Sequence, residues 1–200
     1  MRKLILVAAL FAGAAATPAY AQDDAAIPPG QLHVYGLAGL DILDEEDANV
    51  HGIAYAIGAG YDFSVGNEVT LGIEGEVGGA TTDKCVTPIV AAADSLCIQA
   101  GRDLYVGGRV GIRISDRSNS IFFLGGGYTN AQADVIYDAG LPGTTGDVDS
   151  SDNFDGFRLK AGAEIGLGPN LFARGEYRFS SYDDGDLRRH QVLGGLGFRF

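Results

Sequence analysis

Residues 157–167 read Phe-Arg-Leu-Lys-Ala-Gly-Ala-Glu-Ile-Gly-Leu, and this stretch decides the fold. Phe157, Leu159, Ala161, Ala163, Ile165 and Leu167 are apolar, while Arg158, Lys160 and Glu164 occupy the positions between them. A period of two belongs to a β-strand whose faces meet different surroundings; a helix would scatter these charges around its axis. Three more segments carry the pattern. Leu104, Val106, Val110, Ile112 and Ile114 oppose Asp103, Tyr105, Arg109 and Arg113. Val69, Leu71, Ile73 and Val77 oppose Glu74 and Glu76, and Ala173, Tyr177 and Phe179 oppose Arg174, Glu176 and Arg178.

Working outward, eight candidate strands emerge at about 31–42, 51–63, 68–79, 101–115, 120–131, 155–167, 171–182 and 188–200. In the fifth, Ile121, Phe122, Phe123 and Leu124 run together, so alternation does not assign its facing. Connections alternate in length. Short turns fall at Ser64–Asn67, Asp116–Asn119 and Gly168–Asn170, and longer connections near 43–50, 80–100, 132–154 and 183–187. Short turns on one side and long loops on the other are the pattern of an outer-membrane barrel, with both termini on the short-turn side. The expected fold is therefore all-β, an eight-stranded antiparallel up-and-down transmembrane β-barrel.

A soluble β-sandwich also has short alternating strands, but with the apolar face as its core. Two features favour the barrel. Aromatics sit near strand ends as two belts: Tyr61, Phe63, Phe172, Phe198 and Phe200 by the turns, and Tyr55, Phe157, Tyr177 and Phe179 by the loops. Glycine is abundant, 31 of 200 residues, and Gly58, Gly60, Gly107, Gly111 and Gly162 fall on the charged face, as a crowded narrow interior requires.

The N-terminus fits an exported protein. Arg2 and Lys3 precede an apolar run from Leu4 to Ala16 and then Ala19-Tyr20-Ala21. This order predicts a secretory signal peptide at 1–21, cleaved after Ala21, and a barrel domain at 22–200. The run is too short for a spanning helix. A formal charge of −12 argues against a nucleic-acid partner.

The final strand carries Val192, Leu196, Phe198 and Phe200, and the preceding one reads Arg174-Gly175-Glu176-Tyr177-Arg178-Phe179. The terminal aromatics resemble the signal read by the outer-membrane barrel assembly machinery. The second segment is similar to the penultimate-strand motif of small opacity-protein and OmpA-like barrels, the "porin family" of Gram-negative outer membranes. The resemblance implies an eight-stranded barrel in contact with outer-membrane lipid and lipopolysaccharide, inserted by that machinery through Phe198 and Phe200. It is expected to stand without a C-terminal peptidoglycan-binding domain.

An eight-stranded barrel is just wide enough for its own side chains to fill it. The inward set is predicted to be Glu74, Glu76, Arg109, Arg113, Arg158, Lys160, Glu164, Arg174, Glu176 and Arg178. Nearly balanced charges in so narrow a space should pair, because an isolated buried charge is costly. A structural plug and a gated narrow ion path both fit; barrel diameter favours the plug. Cys85 and Cys97 lie in one connection of an exported chain and are expected to form a disulfide. Acidic clusters occupy the other loops: Asp44, Glu45, Glu46 and Asp47; Asp147, Asp149, Asp152 and Asp155; Asp183, Asp184 and Asp186. They suit solvated loops, with divalent-cation binding as the sharper alternative, although an EF-hand spacing is absent. No cofactor or catalysis is expected: His33, His51 and His190 lack a paired serine nucleophile nearby in sequence, and no helix pattern follows Gly125-Gly126-Gly127. A closed barrel needs no second copy, so a monomer is expected. The expected function is a structural, surface-exposed role with no open wide pore; a narrow porin-like channel for small solutes or ions, or a loop-mediated adhesin, is the alternative.

Overall fold

The computed structural model describes residues 30–45, 48–65, 68–86, 95–115, 120–138, 148–182 and 188–200. The proposed signal peptide, the turn at 116–119 and the acidic residues Asp183, Asp184 and Asp186 lie outside them. Among the described residues nine strands run in order: β1 Gly30–Glu45, β2 Ala48–Val65, β3 Val69–Ala80, β4 Asp83–Val86, β5 Ser95–Ser115, β6 Ser120–Asp138, β7 Val148–Gly166, β8 Leu171–Tyr182 and β9 Arg188–Arg199. Eight of them close an antiparallel barrel. β1 pairs with β9, and β3 pairs with β5, so no edge is left within the ring. Closure is what allows strands to cross lipid, where an unpaired backbone group finds no water. β4 is an extra short strand added to the upper end of β5. Near the termini, the Phe200 amide donates to the Leu32 carbonyl at 2.8 Å, tying the last residue to the first strand.

Alternation sets the two faces of the wall. On β7, Phe157, Leu159 and Ile165, with Leu167 just past its end, point outward and exposed, whereas Arg158, Lys160 and Glu164 are buried inside. From Phe157 to Leu167 is ten residue steps, about 33 Å along a strand at 3.3 Å per residue. A tilt of about 40° reduces that to a height of about 25 Å, the apolar band of an outer-membrane barrel. Tyr55, Tyr128, Phe157 and Tyr177 face outward at its loop side, and Tyr61, Phe63, Phe198 and Phe200 at its turn side.

Phe172 departs from the expected belt. It is 0% exposed and lies inside the barrel, with the Arg199 guanidinium 4.5 Å above its ring. It shares parity with Arg174, Glu176 and Arg178, so its facing follows alternation and not its height near a strand end. The facing of the fifth barrel strand is also resolved: Ile121 and Phe123 are 2% exposed inside, while Phe122 at 58% and Leu124 at 67% face outward. Phe123 is accommodated because it pairs with Gly162, where an added Cβ would come within 2.6 Å of the ring.

The strands exceed the predicted limits at their loop ends. β5 begins at Ser95, β6 continues to Asp138 and β7 begins at Val148. Above the lipid the outer face meets water, so apolar alternation lapses there while backbone pairing continues. The 80–100 connection accordingly contains β4, whose register sets Cys85 directly opposite Cys97.

Candidate functional site: the charged interior

Among the described residues, seven carboxylates and seven cations are buried in the barrel. They are Asp41, Asp62, Glu74, Glu76, Asp103, Glu164 and Glu176, with Arg109, Arg158, Lys160, Arg174, Arg178, Arg189 and Arg199. Their formal charges cancel. A net charge in so small a desolvated volume would be costly, which accounts for the balance.

The charges form three tiers. Towards the loops, Arg189 donates to both oxygens of Asp41, at 2.6 and 3.0 Å, and reaches Asp103 at 3.1 Å. Arg158 holds Asp103 through both oxygens, at 2.9 and 2.7 Å, and donates to Ser180 Oγ at 2.9 Å. Gln191 adds a bond to Asp41 at 2.9 Å.

In the middle tier the Tyr35 hydroxyl meets Glu76 at 2.6 Å and Glu74 at 3.0 Å. Lys160 bridges the same two carboxylates, reaching Glu76 at 3.0 Å and pairing closely with Glu74. Arg178 contacts Glu76 at 3.0 Å and pairs closely with Glu176. Arg174 meets Glu176 at 2.6 Å, Glu74 at 3.2 Å and Glu164 at 3.3 Å. Its guanidinium also lies 4.1 Å from the Tyr35 ring and 4.3 Å from the Phe123 ring.

Towards the turns, Arg109 pairs with Asp62 and Glu164, and Arg199 reaches Glu164 at 2.6 Å. Arg158 to Glu76 at 3.8 Å links the upper tiers, and Arg174 to Glu164 links the lower ones. Many contacts join strands that are not neighbours, such as β3 with β8, so the pairs cross the interior.

Glycine makes room for this filling. An added Cβ at Gly58 would lie 2.4 Å from Tyr35 Cζ, and at Gly107 2.2 Å from the Tyr105 hydroxyl oxygen. Nine of the ten residues named from sequence thus meet in one network. Arg113, at the turn end, is only partly buried. Sequence reasoning missed Asp41, Asp62, Arg189, Gln191 and Arg199. The signal was available for Asp41, Asp62 and Arg199, which alternate with apolar residues, as Arg199 does between Phe198 and Phe200; Arg189, between Arg188 and His190, carries no such signal.

Comparison with known proteins agrees with the architecture. The sequence matches the outer membrane protein beta-barrel domain family over residues 6–200. No curated protein matches it. Among solved structures it is similar to Ail, the attachment invasion locus protein of Yersinia pestis, at 16% identity and a TM-score of 0.56, covering 87% of this chain and 100% of that one. A major outer membrane protein of Thermus thermophilus gives 15% identity and a TM-score of 0.56, over 86% and 99% of the two chains. Neisserial surface protein A gives 16% and 0.51, over 84% and 97%. At such identities these likenesses speak for the fold alone. With the family matched over nearly its whole length, the chain belongs to the outer membrane protein β-barrel domain family and resides in the outer membrane.

Proposed function

We propose that the protein is a surface-exposed structural barrel whose interior is a plug. The observation that carries this reading is the set of seven carboxylates and seven cations paired across the interior among the described residues. Most of these groups are held by partners on other strands, and Glu176 is held by Arg174 and Arg178 of its own strand, so opening a path requires breaking several desolvated ion pairs at once. Swelling of proteoliposomes in a small neutral sugar tests the reading: no swelling above protein-free vesicles is expected, and size-dependent swelling would overturn it.

A narrow ion path is the second reading. Both ring nitrogens of His33, the Tyr105 hydroxyl and Gln191 Oε1 are buried without a hydrogen-bond partner among the described residues, and internal water would satisfy them. For adhesion, one solved form of Ail is a complex with the heparin analogue sucrose octasulfate. The loop end of this chain is strongly acidic, so we propose that it does not take such polyanions. Retention on heparin at physiological salt would contradict that.

Further assignments complete the proposal. Residues 1–21 are a cleaved signal peptide. Cys85 and Cys97 form a disulfide, supported by their opposed register. Phe198 and Phe200 present the assembly signal, and the barrel is a monomer in contact with lipopolysaccharide. It is not an enzyme: His33 is walled into the interior, and His190 Nδ1 lies 2.6 Å from the Tyr177 hydroxyl on the outer wall.

A further inference from the structure

The barrel wall is not level above the lipid band. β8 and β9 stop at Tyr182 and Arg188, and the pairing of β7 with β8 ends at Gly156 opposite Tyr182. β7 runs on to Val148, paired on its other side with β6 as far as Tyr137. Residues 148–155 therefore have one neighbouring strand among the described residues, not two. Ser150, Ser151, Asp152 and Asn153 are all exposed, on both faces of the strand.

Along an antiparallel strand every second residue turns its N–H and C=O to the same side. Half of residues 148–155 consequently direct both groups away from β6, beyond the point where β8 ends. The other margin of the same sheet is treated differently. There the upper part of β5 is covered by β4, from Asp83 opposite Gln99 to Val86 opposite Leu96. One edge is capped by a strand of the chain itself, and the other has no strand beside it among the described residues.

Composition selects the occupant. Val148-Asp-Ser-Ser-Asp-Asn-Phe-Asp155 contains three aspartates and no cation, and β6 adds Asp134 opposite Ser151. A second copy of this chain pairing through the same edge would bring two acidic strands to about 5 Å, and like charges placed so are destabilising. A segment bearing lysine or arginine gains the same backbone bonds with charge attraction added. We propose that Val148–Asp155 is a strand-addition edge that captures an extended, lysine- or arginine-bearing segment of a partner protein above β8. The inference rests on the surface-exposed reading of the barrel and is independent of whether the interior conducts.

The test uses the mature chain refolded in non-ionic micelles, with heat-modifiable gel mobility as the record of folding. A fluorescent octapeptide alternating Lys and Thr is titrated by anisotropy, beside its Glu–Thr counterpart and Lys–Thr peptides N-methylated at alternate residues in both registers. N-methylation removes the strand's hydrogen bonds and keeps its charge. The expected result is saturable binding of the Lys–Thr peptide, at least about tenfold weaker after N-methylation in one register, and no binding of the Glu–Thr peptide. The Asp149→Asn, Asp152→Asn double variant should weaken binding while keeping the heat shift. The proposal is overturned if the folded barrel binds no Lys–Thr peptide saturably. It is equally overturned if both N-methylated forms bind as well as the parent, which would leave charge attraction alone.

Discussion

Replacing Arg174 by Met keeps an unbranched stem of similar reach and removes the cation at the centre of the plug. Three carboxylates, on Glu176, Glu74 and Glu164, lose their contacts at 2.6, 3.2 and 3.3 Å, and the interior acquires one uncompensated negative charge. Removing one partner of a buried ion pair costs about 3–5 kcal/mol. That corresponds to roughly a 10²- to 10⁴-fold shift in the unfolding equilibrium. The chain contains no Trp, so far-ultraviolet circular dichroism is the probe, with urea unfolding of the barrel refolded in vesicles. A double variant, Arg174→Met with Glu176→Gln, restores neutrality and should lose less stability than the single change. The control is Arg102→Met, whose guanidinium donates to Asn130 at 2.9 Å on the exposed outer wall. There the expected change is within about 0.5 kcal/mol. If Arg174→Met also stays within that margin, the interior is hydrated enough to dissolve the pair, and the plug argument fails.

Three shorter predictions follow from the other faces of the wall. Ile73→Arg, on the exposed outer face of β3 near the middle of the apolar band, should cost about 2–4 kcal/mol in the same unfolding assay, and a neutral result would contradict the lipid-facing assignment. Gly58→Val should displace the Tyr35 ring from its bonds to Glu74 and Glu76, lowering stability by about 1–3 kcal/mol as read by the urea midpoint. Without reductant, the unfolded chain should take up no thiol reagent at Cys85 or Cys97; after reduction the loop end should be cut faster by protease while the heat-modifiable band persists. Reagent uptake before reduction would remove the proposed disulfide.

The sequence made the lipid-spanning part of the barrel legible because lipid outside and packed charge inside force a strict alternation. Leu159 and Lys160 could not exchange faces without placing a cation in hydrocarbon. Where that contrast fades, legibility fades with it. Ile121-Phe122-Phe123-Leu124 is apolar on both faces, and its facing is decided by Gly162, which leaves the space Phe123 fills. Phe172 was misread because an interior aromatic beneath Arg199 has the same letter as an interfacial one. Above the membrane, residues 132–137 and 148–153 pair as strands with water on the outer side, so period-two apolarity gave no warning of them. The ion pairs themselves were predictable only as a balance of charge: which carboxylate Arg174 takes depends on strand stagger around the ring, and no local sequence feature encodes that.

Single-channel recording in planar bilayers tests the sealed interior most directly. The mature chain, refolded to a heat-modifiable form and reconstituted in molar potassium chloride, should leave the membrane electrically quiet apart from rare, irregular events. Reproducible conductance steps that disappear in Glu176→Gln would contradict the plug and assign the fourteen paired charges to an ion path instead.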